Sequence, residues 1–169
     1  MNLIRRITEG EVQFLVRSFL LKNNFRLYTK TTNEEPLHYR NTFTNPPKFK
    51  NPDHVAIKGN AVLVFEDKVK FSDLFAGKHP DLIKISSFLA NTRAVAEFRT
   101  LLADVEPAPT NPVIVGSFAS LAPEKSKKEI PKKFVFIGIK EDAKDFVVEL
   151  LQDAGFEKLF EHSSCQIGL

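Results

Sequence analysis

The sequence predicts an α/β domain in which a central mixed sheet is flanked by helices, and three observations indicate this class. Two apolar runs that meet at Gly59 and Asn60 predict a β-hairpin. Apolar residues at helical spacing precede this hairpin and follow it, and further apolar runs near the C-terminus predict more strands. The predicted order is helix, three strands, helix, strand (αβββαβ) over about residues 8–120, with a strand-helix extension over about 134–160.

Composition favours one intracellular domain over residues 1–169. A chain of 169 residues that is 43% hydrophobic and contains sixteen Phe can bury a core without metal or disulfide crosslinks. A lone cysteine, Cys165, cannot form an internal disulfide and favours a reducing compartment. Neither a membrane-length apolar run nor a signal-peptide h-region in residues 1–7 is present. We therefore expect a soluble, cytoplasmic protein with no membrane association.

Charge is distributed unevenly along the chain. The overall net charge is +3, but residues 141–169 carry −5, which leaves +8 on residues 1–140. A basic body is compatible with a polyanionic partner such as nucleic acid. Ordinary surface charge explains the same asymmetry equally well.

The first element is a helix over about residues 9–22. Thr8 is followed three residues later by Glu11, which is the spacing of a capping box, and apolar residues at helical spacing come next. Alternation of polar and apolar residues then predicts a strand over Phe25–Thr31.

An irregular segment, with a short strand within Leu37–Thr44, precedes the hairpin. It interleaves cations with aromatic residues: Arg40, Lys48 and Lys50 with Tyr39, Phe43 and Phe49. Such a mixture can contact phosphates and stack on bases. A solvated loop with aromatic side chains packed beneath it is the alternative.

The hairpin brings two carboxylates together. A two-residue loop at Gly59-Asn60, which suits a type II′ turn, makes Asp53 and Glu66 directly opposed, with Cβ atoms roughly 4.5 to 5.5 Å apart. Alternation puts Lys68 on the same face as Glu66 and Asp67 on the other. A loop of different length would instead put Phe65 or Asp67 opposite Asp53.

Two opposed carboxylates require a compensating cation. Like charges directly opposite each other destabilise a sheet. Mg²⁺ (or Mn²⁺) takes one or two carboxylates and keeps several waters, which suits Asp53 and Glu66, and the backbone carbonyl of Asp67 is a candidate third ligand.

The two faces of the hairpin are both apolar, so the sheet should be covered on both sides. The face that carries the carboxylates also carries Val55, Ile57, Val62 and Val64, whereas the reverse face carries Ala56, Ala61, Leu63 and Phe65. A helix is therefore expected to cover most of the first face.

The remaining elements follow from the same patterns. Asp81 is predicted to cap a long buried helix over about 82–104, and a buried strand follows over 112–119. Five lysines against two glutamates make residues 122–133 a basic loop. The extension is predicted as a strand over 134–139, an amphipathic helix over 141–154 ended at Gly155, and a short edge strand within 156–169.

These residues are similar to the PD-(D/E)XK nuclease superfamily. Pro52-Asp53, a twelve-residue gap and Glu66-Asp67-Lys68 at the end of an apolar strand resemble its motif. The resemblance implies a restriction-endonuclease-like (Holliday junction resolvase-like) fold and Mg²⁺-dependent hydrolysis of phosphodiester bonds, most readily in DNA. Asp53, Glu66 and Lys68 would then be the catalytic residues.

The resemblance also implies secondary features. The first helix of this superfamily often carries an acid that faces the metal, a place that Glu11 occupies, although the capping box explains Glu11 equally well. The helix that follows the E-x-K strand often carries a Gln or Lys near the site, and Lys84, near the start of the predicted helix, is either a phosphate contact or a solvated residue. Lys78 is a further candidate for contact with nucleic acid. A homodimer is frequent among such nucleases. Two alternatives stay open: an inactive nuclease-fold module that binds nucleic acid or a protein, and an unrelated α/β domain.

Overall fold

The computed structural model describes residues 7–29 and 37–169, which form three helices and nine strands. The helices are α1 (Glu9–Lys22), α2 (Asp81–Ala90) and α3 (Thr92–Ala103). The strands are β1 (Arg26–Thr29), β2 (Tyr39–Asn41), β3 (Lys48–Lys50), β4 (His54–Lys58), β5 (Ala61–Asp67), β6 (Val113–Leu121), β7 (Val135–Asp142), β8 (Asp145–Asp153) and β9 (Ser164–Ile167). Short 3₁₀ helices cover Phe71–Phe75 and Glu157–Leu159. Two residues of the predicted Phe25–Thr31 strand, 30 and 31, lie outside the described residues.

Seven of the strands form one mixed sheet in the order β1-β4-β5-β6-β7-β8-β9. The neighbours β5, β6 and β7 run parallel, and every other pair is antiparallel. Strands β2 and β3 form a separate antiparallel ribbon. The predicted class, an α/β domain with a mixed sheet and helices on both sides, is therefore confirmed.

The helices divide between the two faces of the sheet. Helix α1 packs with the side chains of Ala56, Leu63 and Phe65. Helices α2 and α3 pack with Val55, Ile57, Val62 and Val64. Burial of these apolar side chains supplies the main driving force for folding. The prediction that both faces of the hairpin are covered is confirmed. Among the described residues, no helix is long and apolar enough to cross a membrane.

The predicted hairpin register is also confirmed. Lys58 lies opposite Ala61 and His54 opposite Phe65, as a two-residue loop requires. Gly59 has a φ of 60°, which matches the first position of a type II′ turn, whereas Asn60 has no positive φ. Asp53 lies one residue before β4, and its N–H donates to the carbonyl of Phe65 at 3.0 Å.

The single helix predicted over 82–104 is wrong, because the chain forms two helices there. Asn91 ends α2 and caps α3, its side chain accepting the N–H of Ala94 at 2.9 Å. An asparagine side chain competes for backbone hydrogen bonds in this way and favours helix caps. Asp81 is the first residue of α2 rather than its N-cap, a position that Pro80 holds.

The helix predicted over 141–154 is wrong as well. Residues 145–153 form β8, which pairs with both β7 and β9, so the extension is a three-strand meander rather than a strand-helix unit. Apolar residues lie on both faces of β8: Phe146, Val148 and Leu150 pack into the cluster that contains α1, and Val147 and Leu151 alternate to the other face, so the apolar residues imitate helical spacing. The predicted edge strand within 156–169 is confirmed as β9. Strand β6 lies between this acidic meander and β5.

Candidate active site

Asp53 lies buried where β4 and β5 diverge, and both of its carboxylate oxygens accept hydrogen bonds. The backbone N–H of Asp67 donates to Oδ2 at 2.8 Å, and the amide of Gln13 on α1 donates to Oδ1 at 3.2 Å. The orientation of this carboxylate is therefore set by one neighbour on the sheet and one on the helix.

Glu66 is buried on the face of the sheet that α2 and α3 cover. The hydroxyl of Tyr39 donates to its Oε1 at 3.0 Å, and Nζ of Lys50 lies 3.3 Å from the same oxygen. Burial and the neighbouring charge of Asp53 raise the pKa of Glu66 to about 8, although Lys50 and Tyr39 partly offset them. The charged form of Glu66 is therefore disfavoured in the metal-free protein.

Lys50 enters this cluster from the β2-β3 ribbon. Its Nζ lies 2.6 Å from Oδ1 of Asp81, so the ammonium lies between Asp81 and Glu66. Burial acts to lower the pKa of Lys50, but the two carboxylates outweigh it and raise the pKa above its usual value. Lys50 was predicted to contact nucleic acid, whereas the structure pairs it with two acids of the site.

Lys68 lies on the solvent side of the same acids. Its Nζ is 3.6 Å from Oδ2 of Asp81, a buried oxygen that accepts no hydrogen bond from the described residues. The side chain is 37% exposed and lines an open cleft of about 450 Å³. Other residues that line this cleft are Glu9, Asp73, His79, Asp81 and Lys84. A ligand can therefore reach Lys68 and Asp81 from solvent.

Asp67 points to the reverse face, as alternation predicted. Its Oδ2 lies 2.5 Å from Nε2 of His54, and both side chains are buried. Burial raises the pKa of Asp67, and His54 only partly offsets this effect. The Asp67 side chain thus pairs with His54 on the reverse face of the hairpin, while the Asp67 backbone N–H donates to Asp53. A metal contact through its carbonyl stays a prediction.

Glu11 belongs to the capping box of α1. Its Oε1 accepts from the Thr8 N–H and hydroxyl, each at 3.2 Å, and its own N–H donates to the Thr8 hydroxyl. The structure thus shows the capping role that the sequence left as one of two alternatives. The acid of α1 that lines the cleft is Glu9, which the sequence did not single out.

The other predicted nucleic-acid contacts are dispersed. Arg40 forms a two-pronged ion pair with Glu97 of α3, at 2.6 and 3.1 Å. Lys48 and Lys78 are exposed, and Lys84 is partly buried at the cleft.

Three residues of the site were missed or assigned another role. Gln13 had no signal, because an amide on a helix is ordinary. Tyr39 was singled out only as an aromatic residue, and Asp81 only as a helix cap. Each reaches the cluster through a contact between residues 13 or more positions apart, which local patterns do not encode.

Asp53 and Glu66 are the residues that would hold a divalent ion, because they supply two hard oxygen donors, the number that Mg²⁺ commonly takes while keeping several waters. Both carboxylates are buried, and neither residue lines the open cleft. Among the described residues, no group of three His, Cys, Asp or Glu side chains is arranged to hold a metal.

Comparisons with protein-family models, with curated proteins and with solved structures gave no match for this chain.

The raised pKa of Glu66 predicts a pH-dependent stability of the metal-free protein. A carboxyl with a pKa of about 8 in the folded state binds a proton that the unfolded state has lost, so the free energy of unfolding should fall as pH rises from about 4.5 to 8. Each unit of pKa shift corresponds to about 1.4 kcal/mol. Between pH 5 and 9 in EDTA, urea unfolding of the parent should lose about 2 to 4 kcal/mol more than that of Glu66→Gln. If the free energy of unfolding changed with pH equally in the parent and in Glu66→Gln, this prediction would be wrong.

Proposed function

We propose that this protein is a Mg²⁺-dependent nuclease that hydrolyses phosphodiester bonds in nucleic acid, most readily DNA, with a restriction-endonuclease-like core. One observation carries the proposal: the hairpin register brings the carboxylates of Asp53 and Glu66 to the sheet end where Lys68 lines an open cleft. The order of α1, β1, β4, β5, the α2-α3 pair and β6 supports the αβββαβ core. A homodimer belongs to the same proposal.

Each residue of the site has a role in this proposal. Asp53 and Glu66 hold the ion, with the carbonyl of Asp67 as a further ligand. The bound ion lowers the pKa of a coordinated water and offsets the charge of the phosphate. Gln13 and Tyr39 orient the two carboxylates through their hydrogen bonds. Lys68 directs a positive charge into the cleft, where it orients the attacking water and stabilises charge on the phosphate in the transition state.

The test is cleavage of plasmid, single-stranded DNA, a four-way junction and RNA in Mg²⁺, Mn²⁺ or EDTA. The parent should cleave in the presence of either metal and be inactive in EDTA. Lys68→Ala should lower the rate by about 10²-fold, the effect of removing one transition-state donor. Lys70→Ala is the matched control, since Lys70 is exposed two positions further along the chain. Cleavage that persists in EDTA, or a Lys68→Ala variant that cleaves at the rate of the parent, would contradict the proposal.

A second candidate, a nuclease-fold module that binds nucleic acid without cleaving it, is favoured by Lys50. Its ammonium already lies between Glu66 and Asp81, where it supplies a cation without any metal. Lys50→Met leaves Glu66 without its cation and Asp81 with Lys68 alone, and it should lower the free energy of unfolding by about 1 to 3 kcal/mol in EDTA.

Mg²⁺ distinguishes the two candidates in that variant. If the acids form a metal site, 10 mM Mg²⁺ should restore most of the lost thermal stability of Lys50→Met, because binding to the folded state stabilises it. No recovery, together with nucleic-acid binding that is unchanged in EDTA, would favour the binding module. Lys48→Met is the control, since the exposed Lys48 lies two residues away on the same strand.

A further inference from the structure

The β2-β3 ribbon has two chemically different faces. Tyr39 lies opposite Lys50, and this pair reaches Glu66 in the candidate site. Arg40 lies opposite Phe49, one residue further along each strand, so alternation puts this pair on the other face. Because contacts with Glu66 hold the first face, the second face, which carries Arg40 and Phe49, also has a fixed position relative to the site.

Two phenylalanine rings of this ribbon are exposed. Phe49 is 53% exposed and lies beside the His38 ring at 4.7 Å, with the Arg40 guanidinium 5.5 Å from its centroid. Phe43, in the loop between β2 and β3, is 40% exposed. Burial of apolar surface is favourable, so two exposed rings on one small ribbon offer apolar surface for a ligand to bury.

The ring of Phe43 connects this surface to the cleft. It stacks on the imidazole of His79 with centroids 4.2 Å apart and planes 15° apart. His79 lines the cleft together with Lys68 and Lys84. The hydroxyls of Thr42 and Ser87 lie 2.5 Å apart and attach the loop to α2. A flat group stacked on Phe43 would therefore lie at the edge of the cleft.

Cations accompany these rings. Lys48 and Lys78, neighbours in sequence of Phe49 and His79, are both exposed. A third lysine, Lys128 of the basic loop, lies beside the 3₁₀ helix Phe71–Phe75, with its Nζ 5.3 Å from the ring centroid of Phe75. Exposed rings with exposed lysines adjacent to them in sequence match the chemistry of a single-stranded nucleic acid, which presents free base faces and backbone phosphates.

We propose that Phe43 and Phe49 form a stacking platform for unpaired nucleobases, so that single-stranded nucleic acid, or an unpaired segment of a duplex, is the ligand of this protein. The inference rests on the proposed function, because it names the substrate class of the same site. Bases inside a duplex are stacked on one another and offer no free face to Phe43. A base on Phe43 places the neighbouring phosphate toward Lys84 and Lys68.

Binding in EDTA tests the platform without catalysis. Fluorescence anisotropy measures the affinity of the protein for a labelled 20-nucleotide single strand, as DNA and as RNA, and for a duplex of the same sequence. The parent should bind a single strand more tightly than the duplex. Phe43→Ala and Phe49→Ala should each weaken single-strand binding by about 5- to 100-fold, the usual loss when a stacking ring is removed. Phe43→Trp should bind as well as the parent.

Phe14→Ala is the matched control. Phe14 is 42% exposed, close to the value for Phe43, but it lies on α1, on the opposite side of the sheet from α2. Its removal should leave binding unchanged.

The outcomes separate the two proposals. Duplex binding as tight as single-strand binding, no binding of either, or unchanged affinity in both alanine variants would overturn the platform, whatever the cleavage assays show. Single-strand binding that depends on both rings, combined with no cleavage in Mg²⁺, would support the platform and reject the nuclease.

Discussion

Asp53→Asn should abolish metal-dependent cleavage, lowering the rate by about 10³-fold or more. Asparagine keeps an acceptor for one of the two donors, Gln13 or the Asp67 N–H, but it removes one of the two charged ligands. The ion supplies several kcal/mol of transition-state stabilisation, and each 1.4 kcal/mol changes a rate about tenfold. The measurement is single-turnover cleavage in Mg²⁺ on the substrate that the parent prefers.

The same variant should remain folded. Removing one carboxylate relieves its repulsion with Glu66, so the melting temperature should stay constant or rise. Asp73→Asn is the matched control, because Asp73 is an exposed acid that lines the same cleft. Cleavage by Asp53→Asn at the rate of the parent would show that Asp53 is not a ligand and would remove the basis of the site.

His54→Leu should destabilise the protein by about 3 to 5 kcal/mol. The carboxyl group of Asp67 is fully buried, and His54 is the side-chain partner that the structure shows for it. Removing one member of a buried pair leaves an uncompensated charge, whereas replacing both members by apolar residues is often close to neutral. Urea unfolding at pH 7 gives the loss.

Two further variants show whether the pair is the cause. His54→Leu combined with Asp67→Leu should recover most of the lost free energy. His162→Leu replaces an exposed histidine and should change the free energy of unfolding by less than about 0.5 kcal/mol. A double variant as unstable as His54→Leu would mean that the loss comes from packing rather than from the buried charge.

Local sequence patterns were sufficient to predict the hairpin, its register and the two acids that this register brings together. Gly59-Asn60 sets the loop length, the loop length sets the register, and the register brings Asp53 and Glu66 together. The same alternation correctly separated Lys68 from Asp67. The capping box at Thr8 and Glu11 likewise began α1 at the predicted residue.

Contacts between distant parts of the chain account for what the sequence did not reveal. Residues 145–153 have a helix-like apolar pattern because both faces of the strand carry apolar side chains, and pairing with β7 and β9 decides their structure. Lys50 and Asp81 meet across 31 positions, so the cation that lies between the acids belonged to no local motif. A buried acid near a helix start satisfies the pattern of a cap whether or not it caps the helix.

The most direct test of the central claim is titration of the protein with Mn²⁺ at pH 8.5, followed by electron paramagnetic resonance. The claim is that Asp53 and Glu66 together hold a divalent ion. The account predicts one bound Mn²⁺ per chain, displaced by Mg²⁺, lost in Asp53→Asn and weakened at pH 6 because Glu66 is then protonated. Binding that is absent, or that is unchanged in Asp53→Asn, would contradict the account and leave Lys50 as the cation of the site.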